Sequence, residues 1–230
     1  MEAYALLLQL ADYSEPVAYN SLLVPVGVAV WRWRHLPFFL RTMAVLAGYM
    51  TLLYYLLRLA AYIWHQNAIV GHMSGIGETV LYLFAFRSIL ALPRRWFPIT
   101  LVGFLVFAAI DSFLITGFSQ LNSYTLALES FLGILLVLIY FEQELRAATV
   151  APMRERPIAV ACVGIILYLA GTITVYSLSN HFIITNDAEG NTLLYSVNSV
   201  MLLIFAALLT YSFVLSSATS NLAPGQLSRA

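Results

Sequence analysis

Lysine is missing from this sequence. All eleven basic residues are arginines, eleven acidic residues balance them, and charged residues make up only 10% of the 230 positions. A soluble domain keeps its surface wet with roughly a quarter of its residues charged, so the shortage of charge excludes a water-exposed globular domain. With no basic excess, no nucleic-acid partner is expected. The single cysteine, Cys162, excludes a disulfide within the chain and, lying in an apolar run, reads as a small core or lipid-facing residue. The opening MEAYALLLQLADYSEP lacks a basic n-region and carries Asp12 and Glu15, so it is not expected to be a cleavable signal peptide. No phosphate-cradling glycine loop is present. No internal repeat suggests the inverted halves of a secondary transporter.

What fills the sequence instead is apolar: 61% of residues are hydrophobic. A bilayer-spanning helix needs about 20 mostly apolar residues, and seven segments answer to that, at 15–32, 38–63, 69–92, 97–118, 122–145, 157–180 and 191–216. The first is short, contains Pro25, and begins at Ser14-Glu15-Pro16, which reads as a cap followed by a first-turn proline. Residues 1–13 are expected to form a short segment on the membrane surface, 14–217 an all-α seven-transmembrane-helix bundle, and 218–230 a polar cytoplasmic tail. The loops after spans 1, 3 and 5 hold Arg32, Arg34 and Arg41, then Arg94 and Arg95, then Arg146, Arg154 and Arg156, whereas those after spans 2, 4 and 6 hold none. Arginine-rich short loops stay cytoplasmic. The expected placement is therefore multi-pass in the inner (plasma) membrane, with the N-terminus outside and the C-terminus inside. Gly71, Gly75 and Gly77 read as small residues that let the third span approach a neighbour closely.

Four ionisable residues interrupt these spans: Arg58, Glu78, Asp111 and Glu129. Each costs about 2.5–3.5 kcal/mol near a span centre on insertion scales. At about 1.5 Å of rise per residue, Arg58 lies on the order of 9 Å outward of its span's midpoint and the three carboxylates roughly 4–6 Å outward of theirs. Although the spans alternate in direction, all four reach the outer half, which predicts one polar cluster inside the bundle near the external face. His65, Asn67 and His72, Asn122, Ser123 and Tyr124, Tyr176, Ser177, Asn180 and His181, and Tyr195 and Asn198 fall at nearby or shallower depth. Ser74 and Glu78, four apart, share a helix face, while His72 and Glu78, six apart, point about 120° from each other.

Structural readings stand beside these. Arg58 with one carboxylate is an ion pair that fixes helix register; Asp111 and Glu129 hydrogen-bond each other or serines; the outer histidines and Trp31, Trp33, Trp64 and Trp96 belong to the interface. Glu142, Glu144 and Arg146 form a solvated helix end. Three carboxylates against one arginine nevertheless leave surplus negative charge, which calls for a cation, a proton or a basic ligand.

Seven spans invite comparison with retinal proteins, but these need a lysine in the seventh span for the Schiff base, and its absence excludes that function. A second comparison is the seven-span metal-dependent hydrolase superfamily of alkaline ceramidases and adiponectin-receptor-like proteins, whose last span carries H-x-x-x-H. Here that span reads NTLLYSVNSVMLLIF, without histidine. The run Asn67–Ala68–Ile69–Val70–Gly71–His72 with Glu78, and NSYTLALES (122–130) with Glu129, resemble a pattern in uncharacterised multi-pass bacterial membrane proteins. That resemblance covers spans 2 to 5, and in the seventh span Asn198 stands where histidine often occurs. It implies a seven-helix bundle, brings no activity, and singles out His72, Glu78 and Glu129. The expected function is a non-enzymatic sensor or receptor-like subunit without a cofactor, relaying to a cytoplasmic partner. Its outward-facing pocket is built from Arg58, His72, Glu78, Asp111, Glu129, His181 and Asn198. The alternatives are a hydrolase holding zinc on His72, His181 and Glu78, or a proton- or cation-coupled transporter.

Overall fold

The computed structural model describes residues 2–65, 67–118, 122–147, 152–185 and 187–220, and the described chain is all-helical, without a strand. Its α-helices are α1 (Glu2–Ser21), α2 (Leu23–Arg32), α3 (Phe38–Trp64), α4 (Ala68–Arg87), α5 (Trp96–Ile110), α6 (Ser123–Arg146), α7 (Pro157–Ile184) and α8 (Ala188–Ser220). Six helical stretches are long and apolar enough to cross a membrane: Phe38–Trp64, Ala68–Arg87, Trp96–Ile115, Ser123–Arg146, Pro157–Ser179 and Ala188–Ser216. They match the last six expected spans. α3 starts beyond Pro37, whose extended backbone sets its entry, and α7 starts on Pro157, where the missing N–H would go unbonded in any case. α4 stops at Arg87 rather than at residue 92, its end tightening into a turn in which the Ser88 N–H donates to the Ala85 carbonyl and the Ile89 N–H to the Phe86 carbonyl.

The first expected span departs most from expectation. α1 runs unbroken through Ser14 and Pro16 to Ser21, so no surface segment separates at residue 13. The break falls at Leu22 instead. Pro25 has no N–H to bond the Ser21 carbonyl and its ring crowds that oxygen, so the helix ends there and restarts as α2. Together α1 and α2 follow α8. Ala11, Ser14 and Glu15 share a recess with Asn191, Thr192 and Tyr195, and at the other end the Arg32 guanidinium donates to the Val214 carbonyl at 3.0 Å.

The helices close a ring in the order α1/α2, α8, α7, α6, α4, α3 and back to α2, with α3 also touching α7 and α8. α5 lies outside, against α4 and α6. Its span is only 22% buried, against 39–56% for the other five, so its remaining apolar surface suits contact with lipid. One half of the ring is solid. Phe39, Leu40, Met43 and Leu46 of α3, Phe86 of α4, Val137 of α6, Ile165 of α7 and Phe205, Leu209 and Phe213 of α8 are all buried there. Cys162 is fully buried among them, a core residue and not a lipid-facing one.

Polar ties brace that same end. The Ala91 N–H donates to Gln143 Oε1 at 3.0 Å, Ser212 Oγ donates to the Pro157 carbonyl at 2.7 Å, and Arg156 pairs with Glu144 across the α6–α7 connection. Arg146 pairs with Glu142 at 2.6 Å on the exposed end of α6. At the opposite end His65 closes α3 in the left-handed conformation, a cap position.

The glycines of α4 divide by what faces them. A Cβ on Gly77 would stand 2.0 Å from the hydroxyl of Tyr49, which donates to the Met73 carbonyl at 2.9 Å. A Cβ on Gly71 would meet nothing within 4 Å, so the expected close approach holds at Gly77 and Gly75 but not at Gly71. Gly77→Ala is expected to cost about 1–3 kcal/mol by overpacking. Gly71→Ala is expected to be neutral or to stabilise by up to about 1 kcal/mol through helix propensity. Unfolding of the two variants in detergent micelles checks the opposite signs.

Candidate functional site

The half of the ring that the core leaves unfilled contains a cavity of about 210 Å³ between α1, α3, α4, α6, α7 and α8. Its carboxylates are Glu15 from α1 and Glu78 from α4. Glu78 sits where the face of α4 that carries Gly71 and Ser74 turns inward, and Ser74 Oγ donates to its Oε1 at 2.8 Å. Tyr19, Tyr168, Tyr176 and Tyr195 supply most of the remaining wall, with Asn67 at the rim. Asn198 lines it from α8 and accepts from Thr172 Oγ1 at 3.0 Å.

Glu129 stands directly behind this wall. It is only 4% exposed, and its Oε1 has no hydrogen-bond partner among the described residues. Its place depends on a missing side chain, since a Cβ on Gly75 would lie 2.9 Å from Glu129 Oε2 and 2.9 Å from Leu126 Cδ2. Gly75 and Glu78 are three apart on α4, so the α4–α6 contact brings the two glutamates to one place. Tyr82, one turn further along the same face, buries a hydroxyl that is likewise unpartnered.

Asp111 goes elsewhere. It is fully buried where α5 widens into a π-helical turn, Asp111–Ile115, closed by the Thr116 N–H donating to the Asp111 carbonyl at 2.8 Å. One carboxylate oxygen accepts from the Thr125 N–H at 3.0 Å and from Thr125 Oγ1 at 2.6 Å, and the other accepts from Thr116 Oγ1. The Thr125 N–H is one of the first-turn donors of α6 that no helical carbonyl can reach, so Asp111 caps α6 from a neighbouring helix. His72 belongs to this second cluster. Its Nδ1 lies 2.8 Å from Ser112 Oγ, and its ring meets that of Phe118 at 5.3 Å. It therefore faces α5 while Glu78 faces the cavity, as their angular separation on α4 requires.

Two of the expected pocket residues are thus corrected. Asp111 and His72 line no part of the cavity, because each is engaged with the π-helical turn on the far side of α4. Arg58 is corrected in its partner. It pairs with Glu15 at 3.3 Å, not with an intramembrane carboxylate, and it lies in a recess beside the cavity together with Tyr54 and Tyr19. Both members are about half exposed (58% and 46%), so the pair contributes under about 1 kcal/mol. The Arg58 guanidinium stands 5.3 Å from the Tyr54 ring, which stacks on Tyr19 at 4.5 Å. His181 falls within α7, and its side chain lies outside the described residues. Among the described residues, no group of three histidine, cysteine, aspartate or glutamate side chains could hold a metal ion. Glu15, Tyr19 and Tyr168 are among the wall residues that sequence reasoning missed, with Leu57, Ala68, Leu126 and Ser199. The signal for Glu15 was its level, at the outward end of the first span beside the shallow Arg58.

The cap assigns Asp111 a structural role that can be measured. Asp111→Ala is expected to lose about 1–3 kcal/mol, the cost of leaving buried donors unbonded. Combined with Thr125→Ala, the loss is expected to be clearly less than the sum of the single losses, as a double-mutant cycle on unfolding in micelles would read. Additive losses would remove the cap.

The chain matches no family model, no curated protein and no solved structure, so its site is read from its own geometry.

Proposed function

We propose that the chain is a seven-span membrane sensor or receptor-like subunit, with its N-terminus outside and its C-terminus cytoplasmic, whose outward-facing pocket binds a ligand and relays occupancy to a cytoplasmic partner. One observation carries this reading: the cavity lies in the half remote from the arginine-bearing connections, while the half beside them is filled and braced. A compartment open at one end and sealed at the other suits a binding site better than a route across the membrane, which disfavours the transporter alternative.

The seventh span is α1–α2. Between Tyr195 and Val214, the levels at which Glu15 and Arg32 meet it, α8 rises roughly 28 Å, close to the ~30 Å hydrocarbon thickness. The broken helix therefore accompanies α8 over a membrane's depth, in keeping with the span expected at 15–32, although neither α1 nor α2 alone is both long and apolar enough to cross. Helix ends near Arg32, Arg94, Arg95, Arg146, Arg154 and Arg156 then share the cytoplasmic side.

The hydrolase alternative needs His72 beside Glu78. Their divergence across α4 supports the non-enzymatic reading instead. In the proposed relay, a ligand at Glu78 bears on the α4–α6 contact at Gly75. The cytoplasmic end of α6 is tied to α7 through Glu144 and Arg156, so a shift of α6 reaches the loop between them.

The reading predicts sidedness. In a Cys162→Ala background, Gly71→Cys places a thiol at an open point of the cavity wall, and Ala147→Cys places one at the exposed end of α6. A small membrane-impermeant methanethiosulfonate added to intact cells is expected to label the first and spare the second. Labelling of Ala147→Cys from outside would invert the topology, and a silent Gly71→Cys would close the pocket to the exterior.

A further inference from the structure

The cavity has a sign. Its lining contains Glu15 and Glu78 and, among the described residues, no basic side chain. Arg58 answers Glu15 from the adjoining recess, which leaves one carboxylate to be balanced. Glu78 accepts a hydrogen bond from the neutral hydroxyl of Ser74, and the buried carboxyl group behind it, Glu129, adds an unpartnered oxygen. In a medium of low dielectric an unbalanced carboxylate is costly, so occupancy by one positive charge is the favourable state.

The rest of the wall decides which kind of cation. A proton would neutralise Glu78 without using the space. A bare calcium or magnesium ion requires about six converging oxygens at short range, and among the described residues no three histidine, cysteine, aspartate or glutamate side chains converge for another metal. The wall offers instead two carboxylates on different helices and the side chains of four tyrosines, with Leu57 and Leu126 between them. Aromatic rings and a carboxylate are the surroundings that hold an ammonium group and its attached carbons, the rings by cation–π attraction and apolar contact. Size agrees. A cavity of about 150 Å³ accepts benzene, so the volume of about 210 Å³ admits a compact organic cation and little more.

We propose that the cavity is a site for a small organic monocation, a primary to quaternary amine, with its nitrogen at Glu78 and its carbon atoms against the tyrosines. The proposal rests on the reading of an externally open pocket and gives that pocket its ligand class. The Glu15–Arg58 pair, at the mouth, already neutralises the second carboxylate, so the site calls for a single charge.

The test uses the full chain in detergent micelles with methylammonium, tetramethylammonium and choline chlorides, and sodium and potassium chloride at matched ionic strength. At least one ammonium is expected to raise the unfolding temperature saturably and to slow methanethiosulfonate labelling of Gly71→Cys in the Cys162→Ala background. Its apparent affinity is expected to fall at least tenfold in Glu78→Gln, an isosteric change, and to be unchanged in the surface control Glu142→Gln. Three results would overturn the proposal: no saturable response to any of the three ammoniums, an equal response to sodium or potassium, or an undiminished response in Glu78→Gln. If the ammoniums fail while Gly71→Cys is still labelled from outside, the open pocket survives and its ligand class falls. If Gly71→Cys is not labelled, the pocket and its ligand fall together.

Discussion

Everything distinctive in this bundle follows from the contact of α4 with α6 at Gly75. A side chain there would occupy the space that Glu129 and Leu126 take, so the absence of one lets a carboxylate stand inside the ring, against the helix backbone. Glu78 is three residues on, and the same contact brings the second carboxyl alongside. Two helices that would otherwise meet through apolar side chains meet through acid groups instead. The structure gains no stability from this. A buried polar atom without a partner costs on the order of 1–3 kcal/mol, and Glu129 Oε1 and the Tyr82 hydroxyl are both in that condition. In the proposed reading an occupant of the cavity beside Glu78 offsets that cost.

Asp111 shows what the same chain does when a buried carboxylate serves the fold. Its oxygens receive the Thr125 N–H, the Thr125 hydroxyl and the Thr116 hydroxyl, and the π-helical turn that begins at Asp111 aims it at the start of α6. It is fully buried and satisfied. Glu78 opens onto a cavity and accepts one neutral hydroxyl, and Glu129 has an oxygen with none. The contrast between a saturated and an unsaturated carboxyl in one bundle distinguishes the two places where burial alone does not.

Depth and direction were legible in the sequence to different degrees. Hydrophobic run length located α3 to α8 within a few residues, because a span must be apolar over its whole height. The first span, expected at 15–32, was placed less well: α1 runs unbroken from Glu2 to Ser21 and the break falls at Leu22, ahead of Pro25. Depth gathered Glu78, Glu129, Asp111 and Arg58 into one half of the membrane, but depth is a single coordinate. Within one helix the second coordinate is also available, and the angle between His72 and Glu78 on α4 did separate them. Between helices it is not, so nothing in the sequence placed Asp111 on the far side of α4. Arg58 carried a usable discrepancy, since it lay nearer the surface than any carboxylate assigned to it, at the level of Glu15.

The two halves of the ring finally explain each other. The end that holds Phe39, Phe86, Phe205 and Phe213 is filled, and it is cross-braced through Arg32, Gln143, Glu144 and Ser212. That end is close-packed, unlike the other, whose wall is tyrosine, asparagine and glutamate around open space. Close-packed interiors transmit strain because they are difficult to compress. A change of charge or contact at Glu78 therefore meets a soft half on one side and a stiff half on the other. Displacement of α6 has little to absorb it within the core, and its Arg146 end is anchored to the α6–α7 connection by the Glu144–Arg156 pair. In the proposed sensor, the hollow half walled by tyrosine, asparagine and glutamate would hold the ligand, and the solid half would carry the displacement.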